Sequence, residues 1–192
     1  NELSKHLNIK MPTVTSMMKK LAAKNLVHYE SYKPLKLTDL GKKEAAAIIR
    51  KHRLMEMFLV EKMGFGWEQV HDIAEQIEHI QSPLFFEKMD ELLGYPKVDP
   101  HGSPIPDKEG NFNWKEYSKL SDCKINDTVT LGAVVNNSSE FLEFLNSRNL
   151  RLGLKIKIIS IEPFDKTMVV QYENHPAETL SYTVSKRLLV EK

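Results

Sequence analysis

The stretch HDIAEQIEH, residues 71–79, places His71, Glu75, Glu78 and His79 close together. On an α-helix, positions i, i+4, i+7 and i+8 fall within about 100° of arc. Two imidazoles and two carboxylates would then share one stripe, a nitrogen–oxygen donor set suited to a divalent first-row metal. A plainer reading stays open at this point, because Glu75 stands one turn from both His71 and His79 and could simply pair with them. A second pair, His52 and Glu56, also stands at i, i+4. Two helices that each carry a His–Glu pair can converge on a shared site. No HExxH occurs, since Glu78-His79 has the reverse order, and that removes the zinc-protease pattern. There is no Gly-rich phosphate loop, and no Ser-His-Asp arrangement can be picked out. His28, His101 and His175 lack such company and read as structural or solvent-facing.

The elements that must position these groups can be read from pattern. Glu2–Leu7 reads as a short helix capped by Asn1, and Asn8-Ile9-Lys10 as a turn. Pro12 suits the first turn of a second helix, along which Val14, Met17, Met18 and Leu21 recur at helical spacing. Asn25 reads as a left-handed cap. The strand-like run Leu26 to Glu30, the breakers Ser31 to Pro34, and Leu35-Lys36-Leu37 make a small hairpin. Helix, turn, helix and hairpin in this order form a winged helix-turn-helix. Thr38 caps a long helix, Asp39 to Met63, ended by Gly64 and Gly66. A third helix is expected over Trp67 to Ile80, with Val70, Ile73, Ala74, Ile77 and Ile80 buried opposite the charged stripe. Ser82 and Pro83 open a fourth, Leu84 to Leu93, closed by Gly94. Residues 95–111 are rich in Pro and Gly. Beyond them, strands are expected at Thr128–Val135, Leu154–Ile161, Met168–Tyr172 and Ser181–Val184, with a short helix at Ser139–Leu145. Several short strands in that compass suggest a small β-barrel.

Charge separates these parts. The whole chain is nearly neutral at +1, yet residues 1–53 hold 12 Lys and Arg against 4 Asp and Glu. The remainder is acidic. A basic module joined to an acidic one suggests a polyanion-binding part beside a part with another job. In a helix-turn-helix the second helix enters the major groove. Its N-terminal end here carries Pro12, Thr13, Thr15 and Ser16, short side chains that permit close approach to base edges. Lys10, Lys19 and Lys20 can reach phosphates, and Lys33 at the hairpin tip can touch the neighbouring backbone. No run of about 18 apolar residues is present, so no membrane span is expected. The single Cys123 cannot form an internal disulfide, which fits a cytoplasmic protein.

With those residues in view, the chain resembles the diphtheria toxin repressor family of metal-dependent transcriptional regulators. The resemblance is carried by MPTVTSMMKKLAAKNLV, LTDLGKK, RKHRLMEMFL, VHDIAEQIEHIQS and HGSPIPD, and it covers essentially the whole chain. It implies a winged helix-turn-helix over residues 1–45, metal-binding and dimerisation helices over 46–95, a Pro/Gly-rich linker over 96–119, and a Src-homology-3-like β-barrel over 120–192. It implies that His71, Glu75, Glu78 and His79 ligate a regulatory metal, and that His52 and Glu56 form an ancillary site sharing His71. Residues 67–94 would form the dimer interface.

The same resemblance implies a non-enzymatic repressor that binds a palindromic operator in double-stranded DNA as a homodimer, with Mn²⁺ or Fe²⁺ as corepressor. Iron-activated members carry a sulfur ligand at the position of Glu75 and manganese-activated members a carboxylate, so Glu75 favours manganese. The family's first helix supplies further ligands that would precede Asn1; the chain opens Asn1-Glu2-Leu3 without an initiator Met. Some members also draw ligands from the barrel. Alignment on Leu150-Arg151-Leu152-Gly153 puts Gly132 and Val135 near those positions, with Asn136 and Asn137 nearby. Two rival readings are a winged-helix regulator without metal and, more remotely, a metallohydrolase.

Overall fold

The protein is described by a computed structural model over residues 2–31, 33–135, 138–173 and 175–192. Asn1, Asn136 and Asn137, three positions singled out above, lie outside the described residues, as does Tyr32 within the expected hairpin turn.

Two units divide the chain, Asn1–Arg50 with Pro106–Asn111, and Lys51–Ile105 with Phe112–Lys192. In the first, α1 (Glu2–His6) and α2 (Met11–Ala23) flank a turn in which Asn8 takes a φ of 50°. Pro12 sits in the first turn of α2, where its missing N–H would have no helical partner. Val14 and Met18 are buried, whereas Met17 is 42% exposed and does not belong to the apolar face expected of it. Asn25, at φ 57°, ends the segment left-handed. Strands β1 (Val27–His28) and β2 (Lys36–Leu37) pair antiparallel as the hairpin.

The long helix α3 (Asp39–Met63) starts in the first unit and ends in the second. Its Thr38 cap works in both directions. Oγ1 accepts from Gly41 N at 2.9 Å and donates to Asn25 O at 2.7 Å. At the far end Gly64 takes a φ of 75°, which a residue with Cβ adopts only with strain.

In the second unit α4 spans His71–Ile77 and α5 Pro83–Leu92. The helix expected from Trp67 to Ile80 is therefore shorter at both ends. Trp67 to Val70 form turns, with Gly66 N bound to the Gln69 side chain and Gln69 N to Gly66 O. At the other end Glu78 is only the helix cap. Pro83 then pushes Ser82 into extended backbone, where its hydroxyl accepts from Phe85 N and opens α5. Leu54, Met55 and Leu59 of α3, with Val70, Ala74, Phe86, Met89 and Ile105, form one buried cluster. Ile80, expected on the buried face, is 42% exposed.

A second core fills an antiparallel six-stranded sheet in the order β3 (Ser118–Lys119), β8 (Leu188–Glu191), β4 (Thr128–Val134), β5 (Lys155–Ile161), β6 (Met168–Gln171), β7 (Glu178–Leu180). Helix α6 (Ser139–Asn146) contributes Phe141, Leu142 and Leu145 to it. The strand expected at Ser181–Val184 is instead a one-turn helix, α7 (Tyr182–Ser185). The Ser181 hydroxyl accepts from Val184 N, and that cap turns the chain into a helical turn. Strands β3, β7 and β8 carry no long alternating run and were not expected. The sheet pairs β8 with both β3 and β4.

Candidate metal centre

Two turns of α3 present His52 and Glu56 on one face, and the start of α4 presents His71. The three meet. His52 Nε2 lies 3.0 Å from Glu56 Oε1 and 3.1 Å from His71 Nδ1, and His71 Nδ1 lies 3.3 Å from the same Oε1. Glu56 is almost sealed from solvent and His52 nearly so, whereas His71 is half exposed. Such spacings suit a common cation. Donors about 2.1 Å from a divalent first-row ion and at right angles to one another sit about 3 Å apart. Two imidazole nitrogens with one carboxylate oxygen match the donor chemistry as well.

Glu78 enters differently. Its Oε2 accepts from His52 Nδ1 at 2.7 Å, which turns His52 Nε2 toward Glu56 and His71. A carboxylate behind the outer nitrogen of a ligating histidine fixes its tautomer and its aim. Glu75 and His79 are exposed, and no convergent group of ligand atoms among the described residues includes either. The structure thus gathers His52, Glu56, His71 and Glu78, and leaves Glu75 and His79 apart. The stripe expected to run from His71 to His79 is interrupted because α4 ends at Ile77.

A second group shares Glu56. Its Oε2 lies 3.6 Å from His101 Nδ1, and Asp99 stands with them. Asp99 Oδ1 accepts from the backbone N–H groups of His101 and Ser103, and Oδ2 faces Arg53 Nε at 3.3 Å. Arg53 also donates to Pro104 O. The Pro/Gly-rich segment is therefore not a bare solvent linker, since Asp99, His101 and Ile105 are buried in it. His101, expected to be structural or solvent-facing, proves to be a buried partner of Glu56. The clue available was DPHG following a helical His–Glu pair, and only the fold brings the two together.

Electrostatics explain how a carboxylate survives at this depth. Burial pushes Glu56 up, but hydrogen bonds from His101 and His52 win and hold it well below the usual carboxylate range. Burial pulls His52 down, yet Glu56 and then Glu78 raise it above 6.5. His101 is likewise raised against the pull of burial, chiefly by Glu56 and by the Trp67 carbonyl. Burial pushes Asp99 up.

The helix-turn-helix residues belong to the first unit. Lys10, Pro12, Thr13, Ser16, Lys19 and Lys20 are exposed along α2, and Thr15 is partly so. Lys33 is also exposed, and its ammonium pairs with Glu30 at 2.6 Å. A basic face with short hydroxyl side chains at a helix start suits an approach to a nucleic-acid groove.

Known proteins place these features together. Residues 1–35 match the iron dependent repressor N-terminal DNA binding domain, 38–107 the iron dependent repressor metal binding and dimerisation domain, and 118–192 the FeoA domain. The iron-dependent repressor IdeR of Mycobacterium bovis is 34% identical over 104 residues, which is 54% of this chain and 45% of that protein. The chain thus spans less than half the length of that relative. The diphtheria toxin repressor of Corynebacterium efficiens is 28% identical over 78% of this chain and 69% of its own length. Among solved structures, a manganese-dependent transcriptional repressor in complex with manganese shares 29% identity with a TM-score of 0.90, covering 99% of this chain and 88% of its own. The structure of ScaR with bound Cd²⁺ shares 33% identity with a TM-score of 0.82, over 100% and 89%. Helix-turn-helix with hairpin, His–Glu helices and six-stranded FeoA-like sheet therefore follow one established order, and the chain belongs to the iron-dependent repressor family that includes the diphtheria toxin repressor.

Proposed function

We propose that the protein is a metal-activated transcriptional repressor that binds an inverted-repeat operator as a homodimer and controls metal uptake genes. The carrying observation is the convergence of His52 Nε2, Glu56 Oε1 and His71 Nδ1 within 3.3 Å of one another. A bound Mn²⁺ or Fe²⁺ would supply fixed positive charge at that point. The residues do the rest: His52 and Glu56 hold the α3 side, His71 holds the start of α4, and Glu78 keeps His52 aimed. By resemblance His71, Glu75, Glu78 and His79 would ligate the regulatory metal and His52 and Glu56 an ancillary one sharing His71, and the carboxylate at Glu75 favours Mn²⁺ over Fe²⁺.

Helix α3 is the element common to sensor and reader. It carries His52 and Glu56, and its N-terminal cap Thr38 binds the Asn25 carbonyl at the end of α2. Lys10, Lys19, Lys20 and Lys33 would contact phosphates, and Thr13, Thr15 and Ser16 base edges. Dimerisation through residues 67–94 accords with the apolar side chains that α5 leaves exposed, Leu84 at 64%, Phe85 at 42% and Leu92 at 59%. Pairing two readers sets their separation at about one helical turn of DNA. The protein acts by binding better in one conformation than another rather than by catalysis, in the cytoplasm. No helix of the described residues is long and apolar enough to cross a membrane.

Equilibrium dialysis with Mn²⁺ tests the sensor. The unaltered chain should take up the ion and Glu56→Ala should lose most of that affinity. Equal uptake by both would contradict the assignment.

A further inference from the structure

The six-stranded sheet and its helix α6 reach the metal centre through one tryptophan. Trp67 Nε1 donates to Asn146 Oδ1 at 2.7 Å, at the end of α6. Asn146 Nδ2 in turn donates to Glu68 Oε2 at 2.9 Å, and Ser139 Oγ to Glu68 O at 3.0 Å. Both ends of α6 therefore grip the same two-residue turn. That turn lies just before α4, which begins with His71.

From the turn, Trp67 bears on His101 in two ways. Its ring stacks on the imidazole, centroids 6.0 Å apart and 15° from parallel. Its carbonyl lies 2.9 Å from His101 Nε2. A carbonyl only accepts, so Nε2 donates to it, and Nδ1 faces Glu56 Oε2 at 3.6 Å, where the imidazolium form donates to the carboxylate. The sheet secures the other side of the same loop. Val134 N donates to His101 O at 3.0 Å, and a Cβ on Gly102 would meet Gly132 O at 2.3 Å.

We propose that Trp67, clamped by Asn146, is a positioning residue of the metal centre, which acts through His101 on the second oxygen of Glu56. The inference rests on the metal reading given above. It makes the C-terminal sheet a part of the sensor: α6 fixes the indole, the carbonyl of the same residue fixes the imidazole, and the imidazole fixes which way the shared carboxylate faces. A partner behind a ligand typically changes metal affinity by about 10- to 100-fold when lost.

The test is a set of Mn²⁺ titrations by calorimetry on the full chain, with metal-free melting recorded beside each. Asn146→Asp sets a carboxylate against Glu68 and should weaken Mn²⁺ about tenfold. Glu68→Gln keeps an acceptor for Asn146 and should stay within about twofold. In the double variant, Glu68→Gln with Asn146→Asp, the new amide at position 68 donates to the new carboxylate at position 146. The indole N–H still has its acceptor there, so affinity should return to within about twofold of the unaltered chain. Trp67→Phe keeps the ring and the carbonyl but loses the clamp, and should weaken Mn²⁺ several-fold whatever the fate of the Asn146 variants. In the metal-free chain the Nε2 proton of His101, observed by ¹⁵N-labelled histidine NMR, should exchange with water faster in Trp67→Phe than in the unaltered chain. Unchanged Mn²⁺ affinity in both Trp67→Phe and Asn146→Asp overturns the proposal, even if both melt lower, since that is the signature of a merely structural contact. Failure of the double variant to recover overturns it too. An unaltered chain that takes up no Mn²⁺ overturns the metal reading itself and this inference with it.

Discussion

Glu56 gives one oxygen to His52 and His71 and the other to His101, and the pH behaviour of the site follows from that sharing. Its depressed pKa gives stability that is present above about 4.5 and lost as pH falls through the folded value. The raised pKa values of His52 and His101 have the opposite sign: their stability is present below about 6.5 and lost as pH rises through the folded values. The metal-free chain should therefore melt highest in the mildly acidic window between, and thermal scans across pH check this. Removing the carboxylate with Glu56→Gln should flatten that profile and lower stability by about 1–3 kcal/mol. Protons and metal compete for His52. Mn²⁺ affinity should accordingly rise from pH 6 to pH 8 with proton release, which calorimetry in buffers of different ionisation enthalpy measures directly. A pH-independent affinity would contradict ligation by a histidine of raised pKa.

At the scale of elements, how much could be read from sequence depended on whether the signal was local. Helix α3 runs from Asp39 to Met63 as expected, because Thr38 caps it and Gly64 stops it within a few residues of chain. Periodicity overextends helix α4 at its start, because it runs through Trp67, whose place is decided by Asn146 and His101. The same reason hid His101: nothing adjacent to it in sequence reports Glu56. His52 and Glu56 were legible because i, i+4 is a local relation, whereas the split of Glu56 between two groups is tertiary. Two substitutions probe these elements. Thr38→Ala removes the cap joining α3 to Asn25 and should cost about 1 kcal/mol, seen as a lower denaturant midpoint. Gly102→Ala forces a side chain into Gly132 O at a φ of 86° and should cost more, about 2 kcal/mol or above. A Gly102→Ala chain as stable as the original would refute the close approach of that loop to β4.

Over the whole molecule, the segments matching a repressor DNA binding domain, a metal binding and dimerisation domain and a FeoA domain follow one another in that order. The charge split between residues 1–53 and the rest, visible in composition alone, falls close to the boundary after Arg50 between the two units. Phosphate contacts release counterions, so DNA affinity should fall steeply with salt, and Lys19→Ala or Lys20→Ala should each reduce the log–log salt slope by about one. The central claim is that metal at His52, Glu56 and His71 governs DNA binding. Its most direct test is fluorescence anisotropy with an inverted-repeat duplex selected from a random pool in Mn²⁺, comparing Mn²⁺ with chelator for the unaltered protein and for His52→Ala. Tight binding is expected only of the unaltered protein with Mn²⁺, weakened at least about tenfold by chelator or by the substitution. Equal affinity in all four conditions would contradict it.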